Sequence, residues 1–143
     1  MKNKKFKALV DKLYFIIALT AILPIAAVTV VSAFYPLTLF ITVPVDILVL
    51  YFLISPLFGY VELRENSVYI KYGFIIKKEI PYSKIRGAVK ESKFYSESMM
   101  SLKNSFEHVN IKYNIFDITT VSVVNNDAFI SELNERIKKH IDF

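Results

Sequence analysis

Few residues in this 143-residue chain have the type and spacing for chemistry, and those few point to binding. Asp46 comes first, because it is the only charged side chain between Leu13 and Val61 and stands two residues after Pro44. If that stretch lies in hydrocarbon, a carboxylate near its middle costs on the order of 2.5–3.5 kcal/mol. Pro44 cannot donate to the carbonyl of Phe40, so a helix there is weakened one turn earlier. The functional reading of the pair is an ion, proton or partner-recognition site. The plain reading is a protonated or hydrogen-bonded acid that meets Thr42 one turn back or Thr20 on a neighbouring helix. A lone acid without a second ionisable group beside it makes a poor transport site, so binding is favoured over conduction.

Elsewhere the inventory argues against catalysis. Cysteine is absent and the two histidines, His108 and His140, stand far apart, so no thiolate or His/Cys metal cluster is expected. His108, beside Glu107 at a strand start, reads as a surface residue, and His140 as a cation at a helix C-terminus. Gly59, Gly73 and Gly87 are isolated, with no phosphate-cradling loop among them. No serine has a histidine or lysine at a motif-like spacing. The expectation is a protein without enzymatic activity and without a cofactor.

The net charge is +5, but residues 59–143 keep only 13 basic against 11 acidic side chains once the N-terminal lysines, Asp11 and Asp46 are set aside. That bias is too weak for a nucleic-acid module. Lys77, Lys78, Lys84, Arg86, Lys90 and Lys93 nevertheless cluster along two predicted strands. Near an anionic leaflet each would contribute ~1 kcal/mol; otherwise they are a solvated face. Met99 and Met100, adjacent in a polar loop, are either adaptable contacts for a peptide or partner, or plugs at a sheet edge.

The elements that must position these residues divide sharply. The first twelve residues, a basic tail, carry Lys2, Lys4, Lys5, Lys7 and Lys12 against one Asp11. Residues 13–33 and 38–58 are each long enough to cross ~30 Å of hydrocarbon, and "FYPL" joins them as a tight turn. Pro36 suits that turn and Pro56 can close the second helix. A cleaved secretory signal is the competing reading, with "VSA" before Phe34 as the site. The first apolar run is too long for a signal core of ~7–15 residues, however, and a second run follows at once. Lysines precede the first span, none lies in the connection, and Arg64, Lys71, Lys77 and Lys78 follow the second. Both termini are therefore expected on the cytoplasmic side of a cell membrane.

Residues 59–143 read as a soluble domain. "YVEL" and "SVYIKY" flank a turn-prone "REN", with Val68, Ile70 and Tyr72 on one face and Tyr69 and Lys71 on the other. "FIIKKEI" predicts a third strand stopped by Pro81, and 84–94 a fourth. A polar loop, 95–105, leads to alternating Val109, Ile111 and Tyr113, a turn at Asn114, and a β-favouring run through Val123. Asn125 or Asn126 caps a final helix whose Phe129, Ile130, Leu133, Ile137 and Ile141 form one apolar stripe. Lys138, Lys139 and His140 complement its C-terminus. Roughly six antiparallel strands closed by one amphipathic helix predict an α+β sandwich or barrel.

Two spans followed by "VYIKYGFIIKKEIPYSKI", "SLKNSFEHVNIKY" and "VVNNDAFISEL" resemble the bacterial PH-like domain family, which includes small membrane-anchored proteins of Gram-positive bacteria. Val68, Ile70, Gly73, Ile80, Pro81, Ile85, Val109, Ile111, Tyr113, Phe129 and Leu133 match its core and turn pattern over about 59–140. The resemblance implies a PH-like domain behind a membrane hairpin. Sublancin-type bacteriocin immunity proteins are similar in plan, which implies self-protection against a membrane-active peptide as one role. The competing class is a scaffold or regulatory module that docks a membrane protein partner or anionic lipid. Membrane lipids are expected partners in either case, nucleic acid is not, and the oligomeric state is left open.

Overall fold

The computed structural model describes residues 1–93, 95–98, 100–103 and 105–142. Strand β1 (Lys4–Lys7) leads into helix α1 (Lys12–Ser32), a turn, helix α2 (Pro36–Ile54) and a 3-10 turn (Ser55–Phe58). Then follow β2 (Tyr60–Leu63), β3 (Ser67–Lys71), β4 (Lys77–Pro81), a 3-10 turn (Tyr82–Lys84), β5 (Ile85–Ser92), β6 (Ser101–Leu102), β7 (Glu107–Tyr113), β8 (Asp117–Val121) and α3 (Asn126–Ile141). The strands form two sheets, ordered β1-β2-β3-β4 and β5-β7-β8-β6, with β6 parallel to β8 and the other pairs antiparallel.

Helices α1 and α2 have the length and hydropathy to cross a membrane. Only 6% and 0% of their most apolar windows are buried, which is the opposite of a soluble core helix. Asp11 caps α1 by accepting the Tyr14 amide at 3.1 Å, and Pro36 occupies the first turn of α2, where no amide partner is required. Hydroxyls inside the hairpin bond back to carbonyls one turn earlier: Thr20 to Ile16 at 2.8 Å and Thr42 to Thr38 at 3.2 Å. In hydrocarbon, which holds no water, such local satisfaction would keep these threonines from becoming unpaired polar groups.

The hairpin is an insertion between two paired strands. Residues 1–12, expected as a tail, instead supply β1, which pairs Lys7 with Tyr60 and Lys4 with Leu63. Four residues with a single apolar side chain give no strand pattern of their own. Pairing with β2 and burial of Phe6 edge-on against Phe129, at 5.3 Å between centroids, supply the stability. Arg136 of α3, only 3% exposed, fixes the arrangement by donating to the carbonyls of Lys2 at 2.9 Å, Leu63 at 3.2 Å and Arg64 at 3.0 Å. Both ends of the hairpin therefore leave the domain from one sheet.

The core forms where Val61, Ile70 and Ile80 of the first sheet meet Val109 and Ile111 of the second, closed by the α3 stripe of Phe129, Leu133 and Ile137. Asn114 and Asn125 adopt positive φ of 48° and 66°, which asparagine tolerates best after glycine, and Asn125 caps α3 through Ala128 at 3.0 Å.

Several expectations change. Eight strands form instead of about six, because β1 and the short β6 in the 95–105 loop lack a local signature. The third strand starts at Lys77, leaving Phe74–Ile76 in a turn. Ile141, the last residue of α3, is exposed. His108 is buried, not superficial. It lies on a central strand opposite Glu91 of β5, its Nδ1 within 3.1 Å of the Phe106 carbonyl and its Nε2 without a partner among the described residues.

Candidate membrane interface

Asp46 sits where the two helices face each other, and its Oδ2 lies 2.5 Å from the Thr29 hydroxyl. Thr29 also reaches the Ile25 carbonyl at 2.9 Å, so one hydroxyl hydrogen serves two oxygens. The expected partners, Thr42 and Thr20, turn back on their own helices instead. Around the pair, Ile22, Ala26, Val49 and Leu50 help line a groove of about 330 Å³ between the two helices. Pro44 is not part of it: with Phe40 and Val43 it borders a separate apolar hollow. Asp46 and Pro44 thus border different hollows of the hairpin.

The six basic candidates do not form one strip. Lys77 and Lys78 belong to the first sheet, whereas Arg86, Lys90 and Lys93 lie on or just past β5 in the second, with Lys84 at the corner between. Lys78 points inward, bonds the Tyr113 hydroxyl and lies 4.6 Å from that ring's centroid. Lys90 pairs with Asp127 at 3.2 Å and Glu107 at 3.6 Å, and the Asp127 contact raises its pKa. Lys93 is held between Glu97 at 2.7 Å and Glu91 at 3.0 Å, which also hold its pKa above the ordinary lysine value. Lys77, Lys84 and Arg86 have no carboxylate partner among the described residues.

Met99 lies outside the described residues. Met100 reaches the junction between domain and hairpin, where it lines a cleft of about 210 Å³ with Tyr51, Phe52, Tyr72, Gly73 and Ile76. Gly73 belongs to the core and turn pattern matched in the sequence, whereas Tyr51, Ser55 and Phe58, which build the junction with it, carried no motif. Ser55, at the end of α2, accepts the Phe74 amide at 2.9 Å. Gly73 sits so close that an added Cβ would fall 1.9 Å from Ser55 Oγ, so space rather than an unusual φ demands glycine there. Phe74 packs on Phe58 and Tyr51 with centroids 5.1 and 5.8 Å apart. Beneath it the Tyr72 hydroxyl meets Thr119 of the other sheet at 2.5 Å, and burial pushes its pKa up to about 12. On the opposite flank Asp11 accepts the Phe106 amide at 3.0 Å. Burial works against the Asp11 carboxylate, but the amides of Phe106 and Tyr14 together hold its pKa below the usual value.

Among the described residues no group of three metal-ligating side chains converges. What the arrangement offers is a β-rich domain held, through Ser55–Phe74 and Asp11–Phe106, against two helices long and apolar enough to cross a membrane. A family model described as a bacterial PH domain matches residues 59–137. Comparison with curated proteins and with solved structures returns no match.

Proposed function

This chain belongs to the bacterial PH domain family, and on that premise we propose that it is a non-enzymatic, membrane-anchored binding protein that protects its cell against a membrane-active bacteriocin. Asp46 carries this reading. It is a carboxyl group on an otherwise uncharged helix, open to a groove between α1 and α2 rather than enclosed by a bundle. Intramembrane ionisable residues are costly and are retained where they recognise or relay something. A peptide inserted beside the hairpin would meet one polar group there, able to bind its cationic side chains or amides. Both termini face the cytoplasm in this proposal, as the lysine distribution favours. Signal cleavage after Ala33 fits poorly, because it would remove β1 from its sheet.

The test is a protection assay in a sensitive Gram-positive host, with membrane levels of each variant checked. Wild type should raise survival against at least one membrane-active peptide, and Asp46→Asn should lose most of that gain at equal abundance. A well-expressed wild type that protects against none of a broad panel overturns the role. The second reading, a scaffold for a membrane protein partner, draws on the β7–β8 turn, where Ile115 and Phe116 are 69% and 89% exposed. Crosslinking from position 116 to a membrane enzyme or sensor would favour it.

A further inference from the structure

The outer face of the first sheet sorts its charges by distance from the hairpin. β2 leaves the hairpin at Tyr60 and β3 returns to it at Lys71, so the row through these two residues is the row nearest the spans. Across the four strands that row reads Lys7, Tyr60, Lys71, Lys77. Alternation turns all four outward, since Phe6, Val61, Ile70 and Ile80 fill the opposite face. The next row reads Lys5, Glu62, Tyr69, Glu79, and Arg64 closes it with ion pairs at 3.0 and 3.3 Å. The carboxylates of these two rows therefore lie in the one farther from the membrane. Lys7, Lys71 and Lys77 have no carboxylate partner among the described residues.

This arrangement is unfavourable for the isolated domain. Lys71 and Lys77 stand directly opposite each other, a like-charge pair that destabilises a sheet. Lys5 adds a further cation by leaning 3.7 Å over the Tyr60 ring. Beside the row, the turn Phe74–Ile75–Ile76 exposes its side chains, Ile75 at 75%, while its backbone is pinned to α2 through Ser55. An apolar tip at the level of a helix end, backed by cations and a tyrosine, has the profile of a segment at the headgroup boundary.

We propose that Lys7, Lys71 and Lys77 rest on the anionic headgroups of the leaflet that α1 and α2 enter, while Phe74, Ile75 and Ile76 dip into its acyl boundary. The bilayer is the occupant because the turn is continuous with the spanning helices and the row lacks the negative charge that headgroups supply. Each lysine so placed strengthens the contact about fivefold. The proposal rests on the hairpin spanning the membrane, and not on the bacteriocin role.

The chain has no tryptophan, so single-tryptophan variants report one site each. The full chain would be reconstituted in phosphatidylcholine/phosphatidylglycerol vesicles with lipids brominated near the carbonyl end of the acyl chain. Ile75→Trp should show blue-shifted emission and strong bromine quenching, and Glu65→Trp, at the far turn between β2 and β3, should show neither. Leu48→Trp reports the hairpin itself, read with deep-brominated lipid. In the Ile75→Trp background, Lys7, Lys71 and Lys77 changed to Gln should cut the shallow quenching several-fold while Leu48→Trp is unaffected. Quenching at 48 with water-like emission at 75 overturns the headgroup contact alone, and absence at both overturns the spanning reading with it. Blue-shifted but unquenched emission at 75 places a peptide or second copy of the chain on the turn, and equally overturns the proposal.

Discussion

The two ends of the first sheet use the same residue types for opposite ends. At the end away from the hairpin, the arginines are saturated: Arg64 lies between Glu62 and Glu79, and Arg136 joins Glu132 at 2.9 Å while filling three backbone carbonyls. At the hairpin end, Lys7, Lys71 and Lys77 face outward with no acid in their row. Aromatic rings divide in the same way. Tyr82 is buried and donates to the Arg64 carbonyl at 2.8 Å, whereas Phe74 stays half-exposed beside α2. Where every donor has found an acceptor within the chain, the group is structural. Where charges and apolar surface are left over together, beside the ends of the candidate spans, they make the proposed interface.

The sharpest way to break this comparison is to disturb both ends and compare stability. Arg136→Met removes a buried cation, leaving Glu132 and the carbonyls of Lys2, Leu63 and Arg64 short of a donor. We expect a loss of about 3 kcal/mol, at the lower end for a buried pair because Glu132 retains some solvent. Lys7/Lys71/Lys77→Gln should leave the detergent-solubilised melting transition unchanged or slightly higher. If the triple variant is as destabilising as Arg136→Met in thermal denaturation, the lysines are structural and the contrast collapses.

A smaller effect sharpens the contrast at the junction. Gly73→Ala drives a methyl group into Ser55 Oγ and should cost about 1–3 kcal/mol through overpacking. Adding Ser55→Ala should recover part of that loss, so the two changes will be non-additive in urea unfolding. Full additivity would mean that the turn does not press on α2.

The smallest effect concerns Tyr72, which ties the sheets together beneath that turn. Tyr72→Phe should cost about 1 kcal/mol for the lost Thr119 bond. Because burial raises its pKa to about 12, the folded state keeps this proton after an unfolded tyrosine, near 10.0, has released it. The unfolded state therefore binds fewer protons between these values, and wild-type stability declines as pH rises through that window. The Phe variant should show a shallower alkaline decline, read from denaturant midpoints at successive pH values.

Much of the architecture was legible from local pattern. The two apolar runs, the turns at Asn114 and Pro36 and the capped helix with its Phe129–Leu133–Ile137 stripe all follow from short-range periodicity and backbone preference. The inward face of Val68, Ile70 and Tyr72 was equally visible. The site was less so. Asp46 stood out by charge alone, but its partner Thr29 lies on the other helix, and the choice among Thr20, Thr29 and Thr42 depends on how α1 and α2 pack. Lys77, Lys78, Lys90 and Lys93 looked alike as lysines of neighbouring strands, yet one faces outward with no carboxylate partner among the described residues, one points inward to Tyr113 and two are held by carboxylates.

The sequence by itself determined the hairpin, the PH-like β-rich domain and its closing helix, because hydrophobic runs and periods of two and 3.6 are properties of neighbouring residues. Only the tertiary structure decided that Lys4–Lys7 is a strand, that His108 is buried, and that Lys7, Tyr60, Lys71 and Lys77 share a row. The first and last depend on register between segments separated by the whole hairpin, and the burial of His108 on how β7 sits between β5 and β8. Strand pairing across such a distance leaves no mark on either segment, because the partner supplies the hydrogen bonds and the burial that the segment's own residues do not encode.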